Sequence, residues 1–371
     1  MIAFVAGTTA ELIKVAPVRE ALVERGADVA LWSTGQHTNE VEPTLRDLGA
    51  PDPERWLVPR RHLAHISRVA QVPAWALRVL RTAVAERRAL AADLARDGRP
   101  GLVVVHGDTF TTVLGAVLGR VVGARVAHVE AGLRSGSMLS PFPEELNRRV
   151  VGRLADLHFA PTSREVANLR RARGVVVETG ANTVVDALRR ALERAPEVEG
   201  LPEHYGLVTL HRFELLRQPE RLEEVLRTLH ASRDAMPLVM VAGESERARI
   251  TELGLDHLFD DRFQLWDKRA YAAFLPMLAR ADFVVTDSGG LQEECAVLGV
   301  PCAVHRERTE RHQGLGANVV LTRMDAARLT AFLDGWRELR RPSELDRFRP
   351  SEQIAATLDE LGFVATRAGS L

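Results

Sequence analysis

The chain has almost no cysteine. Only Cys295 and Cys302 occur in 371 residues, which excludes a disulfide framework. Both sit in apolar surroundings and read as buried filler. No run of about 20 apolar residues exists, so no membrane-spanning helix is expected. The formal net charge is −1, which argues against a broad nucleic-acid or membrane-binding surface. The opening MIAFVAG lacks a basic segment and a long apolar one, so it reads as a first strand and not a signal peptide. The expected location is the cytoplasm. Lysine is nearly absent as well: of 49 basic residues only Lys14 and Lys268 are lysine. A lysine kept against so strong an arginine preference points to a need for its compact point charge.

Apolar residues make up 46% of the chain, enough for two cores, and the length suits two domains of about 150–200 residues. Short β-rich apolar runs alternate with helical patterns. Strands are expected at residues 2–6, 29–33, 102–105, 125–129 and 157–160, with helices at 11–25, 75–95, 111–122 and 144–154. The alternation restarts with strands at 206–210, 237–242, 263–265, 283–286 and 302–304, and with helices at 220–231, 271–279 and 292–298. This predicts an α/β protein with two Rossmann-like, doubly wound parallel sheets. The seam falls near residues 182–204, where ERAPEVEGLPEHYG reads as an exposed linker. The expected division is 1–181, 182–350, and a tail at 351–371 packing back towards the first domain. Ligands of such folds gather at the carboxyl ends of the strands.

Several segments occupy those ends. Gly7–Lys14 follows the first strand and opens a helix, whose N-terminus favours an anion; an ordinary βα turn is the plain alternative. Asp108 ends the strand at 102–105, either as a functional carboxylate or as the cap of the next helix. Glu130 ends the strand at 125–129 with no evident capping role. Two carboxylates on neighbouring strands would suit acid/base work. Glu144 and Arg148 are spaced i, i+4, which by itself predicts a salt bridge. In the second half, Thr286-Asp287-Ser288-Gly289-Gly290 offers backbone N–H groups at a helix start. Glu293 and Glu294 lie one turn further in. His211-Arg212 and the Arg308–Arg311 segment add charge at other strand ends. The chain has no zinc-type Cys/His spacing, no GxSxG, no GxxxxGK[ST], and no GxGxxG in its first turn, so neither metal nor dinucleotide is expected.

Taken in order, VHGDTFTT (105–112), HVEAGLRSGSMLSPFPEELNRR (128–149), HFAPTSREVANL (158–169), TGANTVVDAL (179–188) and TDSGGLQEE (286–294) resemble the UDP-N-acetylglucosamine 2-epimerases. That family has the two-domain GT-B architecture, and the resemblance covers almost the whole chain. It implies a UDP-sugar bound between the domains, with Ser288, Gly289 and Gly290 on the diphosphate and Glu294 on the ribose. His211 and Arg212 would stand beside the diphosphate and leaving group, with Arg311 on the same rim. Asp108, Glu130 and Glu144 match the catalytic carboxylates, Lys14 and Arg148 the substrate-site cations, and Asn182 the hinge motif. The implied reaction interconverts UDP-GlcNAc and UDP-ManNAc by elimination and re-addition of UDP, without a cofactor, in a homodimer. A hydrolysing epimerase and a GT-B glycosyltransferase are the alternatives. Three loops depart from the family pattern. Thr9 stands where an arginine is usual, Phe213 replaces another arginine, and His312-Gln313 replace Pro-Glu.

Overall fold

The computed structural model describes residues 1–59, 66, 69–96, 98–135, 143–194 and 198–364. The chain forms two compact units, Met1–Ala187 with Phe348–Leu371, and Leu188–Arg347.

Unit 1 contains β1 (Ile2–Ala6), α1 (Thr9–Glu24), β2 (Val29–Ser33), α2 (Thr38–Asp47), β3 (Arg55–Trp56), α3 (Val72–Ala85), α4 (Arg87–Leu94), β4 (Leu102–His106) and α5 (Phe110–Val122). It continues with β5 (Arg125–Val129), α6 (Glu144–Leu154), β6 (Leu157–Ala160), α7 (Ser163–Asn168), β7 (Val175–Glu178) and the start of α8 (Val184–Glu193). The seven strands are parallel in the order β3-β2-β1-β4-β5-β6-β7. The order reverses between β1 and β4, the switch point at which such sheets bind ligands.

Burial on both faces explains the apolar strand sequences. Along β1, Ile2, Phe4 and Ala6 join Val15, Leu22 and Leu45 on one face, whereas Ala3 and Val5 join Val79, Leu90 and Leu114 on the other. Helix α5 lies close against the sheet because of its glycines. A Cβ on Gly115 would come within 2.7 Å of Val105 and 3.0 Å of Val5.

Unit 2 comprises β8 (Gly206–Thr209), α9 (Phe213–Leu216), α10 (Pro219–Ser232), β9 (Leu238–Ala242), α11 (Glu244–Glu252), β10 (Phe263–Asp267), α12 (Tyr271–Arg280), β11 (Phe283–Thr286) and α13 (Gly289–Leu298). Strands β12 (Cys302–Val304) and β13 (Val319–Leu321) and helix α14 (Ala326–Gly335) complete it. Its parallel sheet runs β10-β9-β8-β11-β12-β13, with the switch point between β8 and β11. The last helix, α15 (Pro350–Glu360), belongs to unit 1: Ile354, Ala355 and Leu358 pack with α1 residues, and the Ser351 amide donates to Asp186 at 2.7 Å.

The expected fold class is borne out: two doubly wound α/β sheets, as in GT-B-like folds. Cys295 and Cys302 are buried and unbridged, as expected. Among the described residues no helix is long and apolar enough to cross a membrane. The helix expected over 75–95 is two helices, broken at Glu86, whose carboxylate holds Arg55 of β3 at 2.8 Å. Helix α13 begins at Gly289 and not at residue 292, because Ser288 caps it.

Each unit buries a histidine that resists protonation. Burial pushes His128 of unit 1 and His305 of unit 2 down to about 4 from 6.5. The unfolded chain therefore takes up protons near pH 6.5 that the folded chain refuses until about pH 4. Their contribution is complete above pH 6.5 and is lost as pH falls towards 4, at up to about 3 kcal/mol per group. Urea unfolding between pH 6.5 and 5, above the ordinary carboxylate range, should show stability falling with pH. His305→Gln should flatten the slope for unit 2, and a flat profile in the unaltered protein would refute the assignment.

Candidate active site

The carboxyl ends of β1, β4 and β5 carry a connected polar cluster. Thr8 caps α1, and Glu11, three residues on, completes a capping box. The Glu11 carboxylate accepts the Gly7 and Thr8 amides at 2.9 and 3.0 Å. The anion expected at this helix start is thus the protein's own. Gly7 serves the fold, since a Cβ there would lie 2.1 Å from Thr34 Oγ1.

Asp108 does not cap α5; Thr109 does, accepting the Thr112 amide. Asp108 is left for Arg148, whose Nε and Nη2 reach its Oδ2 at 2.9 and 2.5 Å. Asn147 fixes the Asp108 carbonyl at 2.8 Å. The carboxylate partners of Arg148 are therefore Asp108 and, at 3.5 Å, Glu145. This corrects the Glu144–Arg148 bridge that spacing alone predicts. Helix α6 turns its 148 position onto the end of β4, so the cation meets a partner 40 residues away. Glu145 is buried and accepts Ser135 N, Ser135 Oγ and Arg149 Nε. Burial opposes its ionisation, yet these donors with Arg134 and Arg148 hold its pKa below the usual range. Glu144 opens α6 behind Pro143. The Pro141-Phe142 segment before it lies outside the described residues.

Glu130 has a left-handed backbone, φ +64°, which costs a non-glycine residue about 1–3 kcal/mol. It is 5% exposed. Its Oε2 accepts Lys14 Nζ at 2.6 Å and Asn182 Nδ2 at 2.5 Å, with His106 Nε2 at 3.5 Å. Asn182 Oδ1 in turn accepts the Val184 amide at the start of α8. Strands β4 and β5 are neighbours, but each carboxylate has its own cation: Arg148 for Asp108 and Lys14 for Glu130. Beneath them the neutral His128 bonds the Gly107 carbonyl at 2.8 Å, which makes its Nε2 the donor.

In unit 2 the corresponding hub is Asp287, buried at the end of β11. It accepts the His211 and Arg212 amides at 3.0 and 2.8 Å and lies 3.3 Å from His211 Nδ1. Arg212 Nε returns a bond to the Asp287 carbonyl at 2.9 Å. Ser288 caps α13, whose first turn is Gly289-Gly290 with no acidic residue. A Cβ on Gly289 would lie 3.4 Å from Arg311 and 3.8 Å from Arg306; one on Gly290 would meet only Ser288 Oγ, at 3.7 Å. The fold does not require glycine at 290.

Arginines surround this helix start. Burial and the neighbouring Arg212 depress the pKa of Arg306, which also bonds Glu310 at 3.4 Å. Arg311 pairs with buried Glu293 at 2.9 Å, and Gln292 holds the Arg311 and Gln313 carbonyls at 3.2 Å. Glu294 accepts Tyr271 Oη at 2.9 Å; burial and this carboxylate push the tyrosine well above its usual pKa. Among the described residues no group of three His, Cys, Asp or Glu side chains is placed to hold a metal.

These placements can be set against known proteins. A family model described as UDP-N-acetylglucosamine 2-epimerase matches residues 21–347. The chain belongs to that family. A Yersinia pestis UDP-N-acetylglucosamine 2-epimerase is 32% identical over 85% of this chain and 84% of its own length. A Bacillus subtilis one is 38% identical, but the matched stretch spans only 62% of each protein. A Methanocaldococcus jannaschii UDP-GlcNAc 2-epimerase crystallised with UDP-GlcNAc and UDP superposes with a TM-score of 0.75 at 26% identity, covering 97% of this chain and 99% of that one.

For this epimerase-family chain, unit 1 gathers Lys14, Glu130 and Asn182 in one cluster and Asp108 with Arg148 in a second. His106, which ends β4 two residues before Asp108, stands 3.5 Å from Glu130. Unit 2 gathers His211, Arg212, Ser288, Gly289 and Arg311 around Asp287 and the start of α13. Sequence reasoning assigned no role to Glu11, His106, Glu145, Asp287 or Arg306. The Thr8-x-x-Glu11 capping box and the i, i+4 spacings Glu145–Arg149 and Arg306–Glu310 were readable; His106 and Asp287 depend on partners distant in the chain.

The Lys14–Glu130 pair is buried, with side chains 10% and 2% exposed. Lys14→Met should therefore destabilise unit 1 by about 3–5 kcal/mol by stranding the carboxylate. Adding Glu130→Gln should recover most of that loss in urea unfolding. Additive losses would mean the pair is not coupled.

Proposed function

We propose that this chain interconverts UDP-GlcNAc and UDP-ManNAc, with unit 2 carrying UDP and unit 1 the acid/base groups. The observation that carries the reading is the pair of carboxylates at the ends of adjacent strands, Asp108 on Arg148 and Glu130 on Lys14. In the forward step a carboxylate takes the C2 proton as the C1–O bond to UDP breaks. The C–H electron pair becomes the C1=C2 bond, and UDP departs with the C–O pair. In the return step a UDP oxygen attacks C1 and a proton is delivered to the opposite face of C2. Two faces call for more than one acid/base group, and Asp108, Glu130 and Glu144 supply them. Arg148 and Lys14 orient the two carboxylates through direct hydrogen bonds.

The charge that develops on UDP calls for fixed donors. Ser288, Gly289 and Gly290 present the α13 N-terminus to the diphosphate, with His211, Arg212 and Arg311 beside it. The bare Gly290 supports this role, since nothing in the fold excludes a side chain there. Glu294, held by Tyr271, takes the ribose hydroxyls. Asn182 serves the substrate side through its hold on Glu130. By the same resemblance the protein acts as a cytoplasmic homodimer, which light scattering on the purified protein tests.

Thr9 gives one reason to keep a second reading. Where the family carries arginine, Thr9 donates its hydroxyl to Glu40 at 2.7 Å. A UDP held by one cation fewer escapes more readily, which would favour release of UDP and free ManNAc. Proton NMR in D2O separates the outcomes. Deuterium at C2 of both UDP-sugars supports the epimerase, free UDP accumulating in step with ManNAc selects hydrolysis, and unexchanged substrate with no product formed refutes both. Glu130→Gln should lower turnover by about two to four orders of magnitude; near-normal turnover removes Glu130 from the chemistry. Gly290→Ala should leave thermal stability unchanged while weakening UDP binding about tenfold or more by calorimetry.

A further inference from the structure

Glu11 does more than cap a helix. A capping-box glutamate normally reaches back to its own N-cap amide. This one is 2% exposed, and its other oxygen accepts Thr109 Oγ1, 98 residues away, at 2.5 Å. Thr8 caps α1 and Thr109 caps α5, so two helix N-termini converge on a single carboxylate. Among the described residues no cation pairs with Glu11. Burial raises its pKa, and the hydrogen bonds from Thr109, Gly7 and Thr8 oppose that rise. Helix N-termini favour an anion, and these two flank the sheet's switch point, where a doubly wound domain ordinarily takes a ligand's phosphate.

We infer that Glu11 is a positioning residue: a built-in anion that locks the β1–α1 turn to the β4–α5 turn and thereby sets where Asp108 stands. Thr109 follows Asp108 directly, so the Glu11–Thr109 bond fixes Asp108 from one side while Asn147 fixes its carbonyl from the other. Thr112, in the first turn of α5, joins the same lock. Thr112 Oγ1 donates to the His106 carbonyl at 2.7 Å, and His106 stands 3.5 Å from Glu130. With its own carboxylate in place, unit 1 offers these two helix starts to no nucleotide phosphate, which leaves the diphosphate to unit 2.

The inference rests on the proposed epimerase reading for its kinetic test and on binding alone for a second. Glu11→Ala should lower kcat about ten- to a hundredfold, the cost of misplacing a catalytic group by about 1 Å, with KM for UDP-GlcNAc nearly unchanged. Added formate should restore part of kcat in Glu11→Ala and none in the unaltered protein. Thr109→Val should reproduce the kcat loss, and Thr109→Ser should retain activity. A rise in KM in place of the kcat loss, or full turnover by both Glu11→Gln and Thr109→Val, would overturn the role; these two variants serve even if Glu11→Ala does not fold. Independently of turnover, calorimetry with inorganic phosphate should detect a site in Glu11→Ala, or in Glu11→Gln if the former is unfolded, that the unaltered protein lacks. Equal phosphate binding with and without Glu11 would overturn the built-in anion. Failure of the unaltered protein to epimerise would strike the functional reading and leave this arm standing.

Discussion

The grip on Glu130 organises unit 1. A buried carboxylate on a left-handed backbone is unfavourable twice over, through desolvation and through strain. It persists because Lys14 from α1 and Asn182 ahead of α8 both converge on one oxygen. Three segments far apart in sequence must therefore be in place before this side chain can be. The same demand accounts for a lysine in a chain that otherwise uses arginine: an ammonium fits as a point donor where a planar guanidinium would need a wider slot.

The two units treat charge differently. In unit 1, Glu130 and Asp108 each meet a cation and Glu11 meets two helix starts, so these three acids are compensated within the protein. At the start of α13 in unit 2, Arg212 and Arg306 stand close enough for one to depress the other, beside two glycines and no acid in the first turn. These guanidinium groups also have carboxylates nearby, Glu310 for Arg306, Glu293 for Arg311 and Asp287 beside Arg212, so unit 2 crowds several cations at one helix start where unit 1 pairs single cations with single acids. The chemical division proposed between the units uses this crowding of cations beside the bare Gly290.

Much of the fold was legible in the sequence, because buried parallel strands leave unbroken apolar runs such as Leu102–Val105. Some missed elements are short or polar, such as β3 with two residues, α7 with six and α2 with Pro43 and few apolar positions, but the apolar β7 and β13 and helices α8, α11 and α14 were missed as well. The family reading from ordered motifs is borne out by the family model. Local patterning failed where partners are non-local. Spacing gave Arg148 to Glu144, but the helix turns it to Asp108; Asp108 resembled a cap, but Thr109 holds that place. The positive φ of Glu130 has no sequence signature, since nothing about a glutamate announces a left-handed backbone.

Helix α15 has a consequence for how the chain is made. Unit 2 is one continuous stretch, Leu188–Arg347, whereas unit 1 is closed by residues from both ends of the sequence. Ile354, Leu358 and Phe363 fill the core against Val15 and Leu22. During synthesis on the ribosome, unit 2 has all its residues before the core of unit 1 does. The half that holds the proposed acid/base groups, though translated first, is the half that must wait to be sealed.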